Sequence, residues 1–321
     1  NWFYLGTGFL VLLAVWLAKS GRMYLIGNGM GAKIKLRRYF QIYMATCFIS
    51  HVTPFNSGGT PLQIYLLHRQ GIPVGKASAI TAVDLGINTI IFFLLGSIAI
   101  IQRISGVVFP HWLSVPVNGG IWLASGIAGI LPAMLIGIFL VAILLFFWNR
   151  SRIKKTGRPL TRFLTKLPGW FTWISQRINN FIQKKGWSQK FRREYSVFKE
   201  GWRSLANQNP GRLIWAVFLT AIYWFFYLSL APLVMVALGK SVSFISLMGE
   251  QLFFNLVQIF IPTPGGSGGS ELIMSYLFRG IAGEARIGWF VLLWKIYTFF
   301  STLIIGGYFF IRMVLVQGKK E

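Results

Sequence analysis

Two short stretches decide the reading of this chain: Thr53 to Thr60, TPFNSGGT, and Thr263 to Ser270, TPGGSGGS. At a constant offset of 210, Thr53, Pro54, Ser57, Gly58 and Gly59 recur as Thr263, Pro264, Ser267, Gly268 and Gly269. The identity continues through Leu62/Leu272, Leu67/Leu277 and Arg69/Arg279, giving eight matches within seventeen residues. Each copy follows an apolar helical stretch and precedes a short amphipathic one, LQIYLLHR or ELIMSYLFR. Proline removes a backbone donor and restricts the residue before it, and paired glycines permit positive φ. Each stretch therefore reads as a broken helix that enters, turns and leaves. In hydrocarbon, irregular backbone survives only where protein buries it or a wet cavity meets it. Paired interrupted segments in the two halves of a membrane chain point to a transport site.

Composition agrees. The 321 residues are 55% hydrophobic and only 12% charged, and mean hydropathy is +0.60. A soluble domain of this size carries about twice that charged fraction. The net charge of +25 alone would suit nucleic acid, but the basic residues lie between apolar runs, as in a positive-inside membrane protein. Nucleic acid is thus not an expected partner. One cysteine, Cys47, excludes an internal disulfide, and His51, His68 and His111 have no metal-ligand spacing. No metal, cofactor, activated nucleophile or nucleotide loop is expected, and the chain does not read as an enzyme.

The expected fold is an all-α polytopic membrane protein, an inverted-topology repeat with two re-entrant Pro/Gly-broken hairpins. Residues 1–104 form the first repeat, with its hairpin at 40–70. Residues 105–148 are an outer loop and a connecting span, 149–212 a basic cytoplasmic insertion, and 213–321 the second repeat, with its hairpin at 244–280. Trp2 to Ala18 is the first span, and the basic run Lys19 to Arg38 reads as a cytoplasmic loop, in which Gly27 and Gly31 sit. Ala77 to Ile104, Ile121 to Trp148, Leu213 to Ala237 and Arg286 to Val314 are further spans. The first hairpin opens from the cytoplasm and the second from outside, and the C-terminus is cytoplasmic. The chain begins at Asn1 without a basic leader, so an earlier start and a further N-terminal helix are expected to complete the symmetry. The insertion carries sixteen Lys and Arg. Its stretch WFTWISQRINNFI puts Trp170, Trp173, Ile174, Ile178 and Phe181 on one face, which suits either a helix lying on anionic headgroups or a solvated loop.

Ionisable residues within spans mark a pathway by default. Asp84 lies in the helix after the first hairpin with Thr81 and Asn88 on its face, and Lys295 in the helix after the second with Thr298 and Thr302. Their separation of 211 places them near equivalent depths, so an Asp84–Lys295 or Glu250–Lys295 pair is expected near the pseudo-two-fold axis. Glu250, Gln251, Asn255 and Gln258 give the second hairpin a polar face, and Tyr43, Thr46 and Ser50 the first. Arg69, Arg279 and Glu271 flank the breaks and could meet a charged headgroup, as could the free amides of the turns. Hydrogen bonding that merely joins helices is the alternative role for all of these groups.

TPxxSGG followed by a Leu-rich helix, an Arg and a Gly-Ile-Pro loop (Thr53 to Ala77), with PTPGGSGGSEL (Pro262 to Leu272), resembles the lysylphosphatidylglycerol synthetase/flippase transmembrane-domain family. The resemblance spans essentially the whole chain. It implies a flippase-like protein standing alone, since the chain ends at Glu321 without the aminoacyl-transferase domain of fused members. It also implies that Asp84 and Lys295 match the family's acidic and basic membrane positions. The resulting expectation is movement of a phospholipid or lipid-linked headgroup between leaflets of the cell's inner membrane. A scaffold presenting lipid to a separate synthase or glycosyltransferase is the alternative. Membrane lipids are the expected partners, and the sequence leaves open a lipid-modifying enzyme or a second copy of the chain.

Overall fold

The computed structural model describes residues 1–105, 187–205 and 210–316. Ten helices are used here: α1 (Trp2–Gly29), α2 (Leu36–Val52), α3 (Gly59–His68), α4 (Val74–Ser105), α5 (Trp187–Arg203), α6 (Pro210–Ala237), α7 (Phe244–Gln258), α8 (Gly269–Ala282), α9 (Glu284–Lys295) and α10 (Ser301–Phe310). A wide turn, Ile296–Phe300, joins α9 to α10, and a second, Ile311–Val316, follows α10. Among the described residues there is no strand. Among the described residues four helices are long and apolar enough to cross a membrane: Trp2–Gly29, Val74–Ser97, Gly211–Ala237 and Glu284–Val314. They leave large apolar side chains uncovered, among them Leu10, Ile214, Trp215, Trp289 and Ile304. Such outward surface suits lipid rather than water.

The first span runs longer than Trp2 to Ala18. α1 continues through Lys19 and Arg22 to Gly29, because no residue in that run breaks the helix. It ends where Gly31, at φ 78°, donates to Asn28 O (3.0 Å) and Ala32 to Gly27 O (2.9 Å). That is a left-handed glycine closing a helix with two reversed hydrogen bonds. α6 ends the same way: Gly239, at φ 76°, donates to Val236 O (2.9 Å) and Lys240 to Met235 O (3.1 Å). Gly27 consequently sits inside α1 against the Tyr39 ring, while Gly31 alone lies in the turn.

Packing is reciprocal. α1 and α6, the helices that precede the two broken hairpins, form the most extensive helix contact among the described residues. α2, the first arm of the first hairpin, packs on α10 beyond the second, and α7, the first arm of the second, packs on α4 beyond the first. Glycines permit the close approaches: a Cβ on Gly306 would lie 2.5 Å from Met44 O, and one on Gly96 3.2 Å from the Leu256 side chain. Small residues serve this purpose at helix contacts in lipid. One buried cluster centres on Trp16, Phe254, Phe290 and Trp294, and a second on Met23, Tyr39, Ile42 and Leu67. α1 contributes to both.

The part of the basic insertion within the described residues is docked. α5 lies along the start of α4, where Glu194 Oε2 accepts from Gly75 N at 2.5 Å. Phe198 and Trp202 pack onto the second cluster. The stretch around Trp170 to Ile182, the Gly106 to Asn118 loop and the Ile121 to Trp148 span lie outside the described residues.

Candidate functional site

The two breaks fold alike for half their length. Thr53 and Thr263 are extended (φ −107°, ψ 144° and φ −74°, ψ 149°) and each is followed by proline. Phe55 and Gly265 are then both left-handed, at φ 53° and 59°, as are Asn56 and Gly266, at 54° and 69°. Ser57 N and Ser267 N each donate to the carbonyl of their proline at 3.1 Å. Here the copies part: Gly58 is helical at φ −74°, while Gly268 is at φ 84°. The positive φ expected of the Gly pair in the first copy falls on Phe55 and Asn56 instead. Gly58 and Gly59 are needed for space: a Cβ on Gly58 would meet Ile49 and Thr53 side chains at 2.7 Å, and one on Gly59 would collide with Ser50. Thr53 Oγ1 fastens the first turn, donating to Ile49 O (2.8 Å) and accepting from Gly58 N (3.0 Å).

The turns meet. Pro54–Asn56 lies against Pro264–Gly266, and the end of α2 touches the second turn. A Cβ on Gly265 would lie 3.1 Å from His51 O and strike the Phe299 ring. Lys295 reaches into this junction. Its Nζ is 2.9 Å from Glu271 Oε1 and 3.5 Å from Gly265 O, and 5.1 Å from the Phe299 ring centroid. Lys295 is 5% exposed although charged, and Glu271 is half-buried. Ser270 Oγ donates to the second carboxylate oxygen of Glu271 at 2.9 Å. Lys295 also stands at the last turn of α9, just before the wide turn, in which Ser301 Oγ donates to Ile296 O at 2.6 Å. Such widened turns recur at functional positions because they re-aim the side chains beside them.

The expected Asp84–Lys295 and Glu250–Lys295 pairs do not form. Asp84 is held by α1: Lys19 Nζ donates to Oδ2 at 2.6 Å and Arg22 Nε to Oδ1 at 2.7 Å. The physical reason is the length of α1, whose uninterrupted last turns carry both cations against α4. Sign of charge alone places Lys19 and Arg22 in a loop, whereas the structure holds both within α1. Their i, i+3 spacing, with Met23 and Ile26 continuing the apolar face, was the available signal. Arg22 Nη1 also donates to Asn88 Oδ1 (3.3 Å) and Thr220 Oγ1 (3.0 Å), joining α1, α4 and α6.

The remaining candidates are dispersed. Glu250 is buried on α7. Asn255 Oδ1 accepts from the Tyr227 hydroxyl at 3.5 Å, and Gln258 Nε2 lies 3.2 Å from a Cβ built on Gly266. Arg69 Nη1 donates to Met313 O at 3.1 Å, at the far end of α3 from the break. Arg279 pairs with Glu284, both exposed. Thr298 and Thr302 donate to carbonyls of their own helix. Among the described residues no group of His, Cys, Asp and Glu could hold a metal ion.

Comparison with known proteins agrees with this architecture. The family described as the lysylphosphatidylglycerol synthase TM region matches residues 1–306. A UPF0104 membrane protein of Archaeoglobus fulgidus is 24% identical over 309 residues, covering 96% of this chain and 85% of the relative. No solved structure matches. With the match covering residues 1–306 of 321, the chain belongs to the lysylphosphatidylglycerol synthase transmembrane-region family.

Proposed function

We propose that this protein moves a phospholipid or lipid-linked headgroup between the leaflets of a cell's plasma membrane. In this reading Leu36–His68 and Phe244–Ala282 are re-entrant hairpins in an inverted repeat, entering from the cytoplasmic and outer faces, with the C-terminus cytoplasmic. The observation that carries it is the contact between the two turns beside the Lys295–Glu271 pair, whose lysine is buried. Non-helical backbone and a buried lysine are both costly in hydrocarbon, and both belong where a polar ligand passes. The shared backbone of the breaks and the reciprocal packing of α2 on α10 and α7 on α4 support the repeat. The headgroup would cross the junction while acyl chains remain in lipid.

The experiment is transbilayer movement of fluorescent anionic, cationic and polyprenyl-phosphate lipids in proteoliposomes. Wild type is compared with Lys295→Met and a Gly58→Ala/Gly59→Ala variant. Wild type moves one class, and the variants, when still folded, lose most of that rate. Absence of movement for every lipid, with and without a proton gradient or membrane potential, would replace this reading by the scaffold one.

A further inference from the structure

The Lys19–Arg22–Asp84 cluster lies apart from the contact between the turns and contains an unanswered charge. Two cations share one carboxylate there. Arg22 is 0% exposed and Asp84 3%. Of the guanidinium's five N–H groups, those on Nε and Nη1 are directed at Asp84, Asn88 and Thr220, whereas Nη2 is buried with no partner. Thr220 Oγ1 accepts from Nη1 while donating to Ala216 O at 2.8 Å. Lys19 spends one of its three donors on Asp84, and its side chain, 15% exposed, forms the open edge of the cluster.

We infer that this cluster is a seat for a phosphate-bearing anion, entered past Lys19. A buried guanidinium with an idle nitrogen is penalised by lost hydration. A water molecule could satisfy the N–H groups but would leave the extra positive charge in place. An oxyanion answers both, and the planar fork of arginine beside a lysine point charge is the usual recognition set for phosphate oxygens. Three helices fix the arrangement, so it is preorganised: Arg22 comes from α1, Asp84 and Asn88 from α4, Thr220 from α6. The anion is either a lipid phosphodiester or free phosphate. The lipid source rests on the lipid-moving reading; the anion site itself does not.

The test uses the full chain in neutral detergent micelles. Thermal unfolding is followed against added inorganic phosphate, dihexanoyl-phosphatidylglycerol or chloride, at constant ionic strength. Wild type gains a saturable rise in Tm with phosphate, with the short-chain lipid, or with both, and the responding probe identifies the source. Arg22→Gln loses the rise. Lys19→Gln, at the open edge and less risky for folding, weakens binding by about tenfold, one ion contact's worth. Asp84→Asn removes the competing carboxylate and binds the anion about tenfold more tightly, whereas an exclusively structural Asp84 would give lower stability and no gain in affinity. No rise in wild type overturns the inference, as does a rise equally large with chloride or one untouched in both Arg22→Gln and Lys19→Gln. A rise abolished by Lys33→Gln/Lys35→Gln also overturns it, by placing the anion in the cavity of about 670 Å³ that those lysines line with Tyr24 and Arg212. Binding without lipid movement in proteoliposomes sinks the transport reading and leaves the site. Movement that continues unchanged in Arg22→Gln sinks the site as a transport element and leaves the transport reading.

Discussion

Phe55 and Gly265 occupy the same place in the two breaks, at φ 53° and 59°, yet one is a bulky aromatic and the other has no side chain. The difference follows from what surrounds each. Phe55 is 61% exposed, so its side chain projects away from the protein, whereas a Cβ on Gly265 would enter the Phe299 ring. Left-handed backbone costs an L-residue ~1–2 kcal/mol, and a collision in packed surroundings adds ~1–3 kcal/mol. Gly265→Ala is therefore expected to lower stability by about 2–5 kcal/mol, summing those two terms. Phe55→Ala, which changes neither φ nor a packed neighbour, should stay within about 0.5 kcal/mol of wild type. Thermal unfolding in detergent of the two variants checks this, and equal losses would contradict it. The repeat of Thr-Pro-x-x-Ser-Gly-Gly revealed that both segments break, but not which residues carry the unusual φ. That depends on whether a Cβ at each point faces open space or the opposite hairpin, which one copy of the motif does not encode.

At the scale of elements, charge sign misled where helix continuity would not have. Lys19 and Arg22 read as loop because basic residues gather on one membrane face. Between Ala18 and Gly29, however, there is no proline, and the first stop is Gly31 in its left-handed cap. The breaks and the spans 213–237 and 286–314 are legible in the sequence because each rests on local pattern. The partners of Asp84 and Lys295 are not, because they depend on which helix faces which. The docking of α5 on α4 is of the same kind, and it is testable. Glu194 caps the start of α4 through Gly75 N, and a Cβ on Gly75 would run into the Glu194 carbonyl. Glu194→Ala is expected to cost ~1 kcal/mol, the usual value of a lost helix-start acceptor. Gly75→Ala should cost ~1–3 kcal/mol by forcing α5 off α4. Because both act on one contact, their effects should combine to less than their sum. A double variant whose loss equals the sum, measured by chemical unfolding, would show that the two residues do not act through one contact.

For the whole molecule the decisive feature is reciprocity: each hairpin's first arm leans on the span that follows the other hairpin. Two halves joined in this way share one interface at the turns, so a change in either half is felt in both. Under the proposed function, one half would rock against the other around a fixed site. It also makes a prediction about orientation. If the repeat is inverted, Gly71, in the turn after α3, and Gly239, in the turn after α6, lie on opposite sides of the membrane. In a Cys47→Ala background, single cysteines at the neighbouring positions Gln70 and Lys240 report this directly. A membrane-impermeant maleimide added to intact cells should label Lys240→Cys and spare Gln70→Cys, and inside-out vesicles should give the reverse. Ser57→Cys and Ser267→Cys, both exposed beside the meeting turns, should react slowly from either side. Labelling of positions 70 and 240 from the same face would reject the inverted repeat. The two breaks would then be parallel features of one surface, and the contact between their turns could not serve as a passage between leaflets.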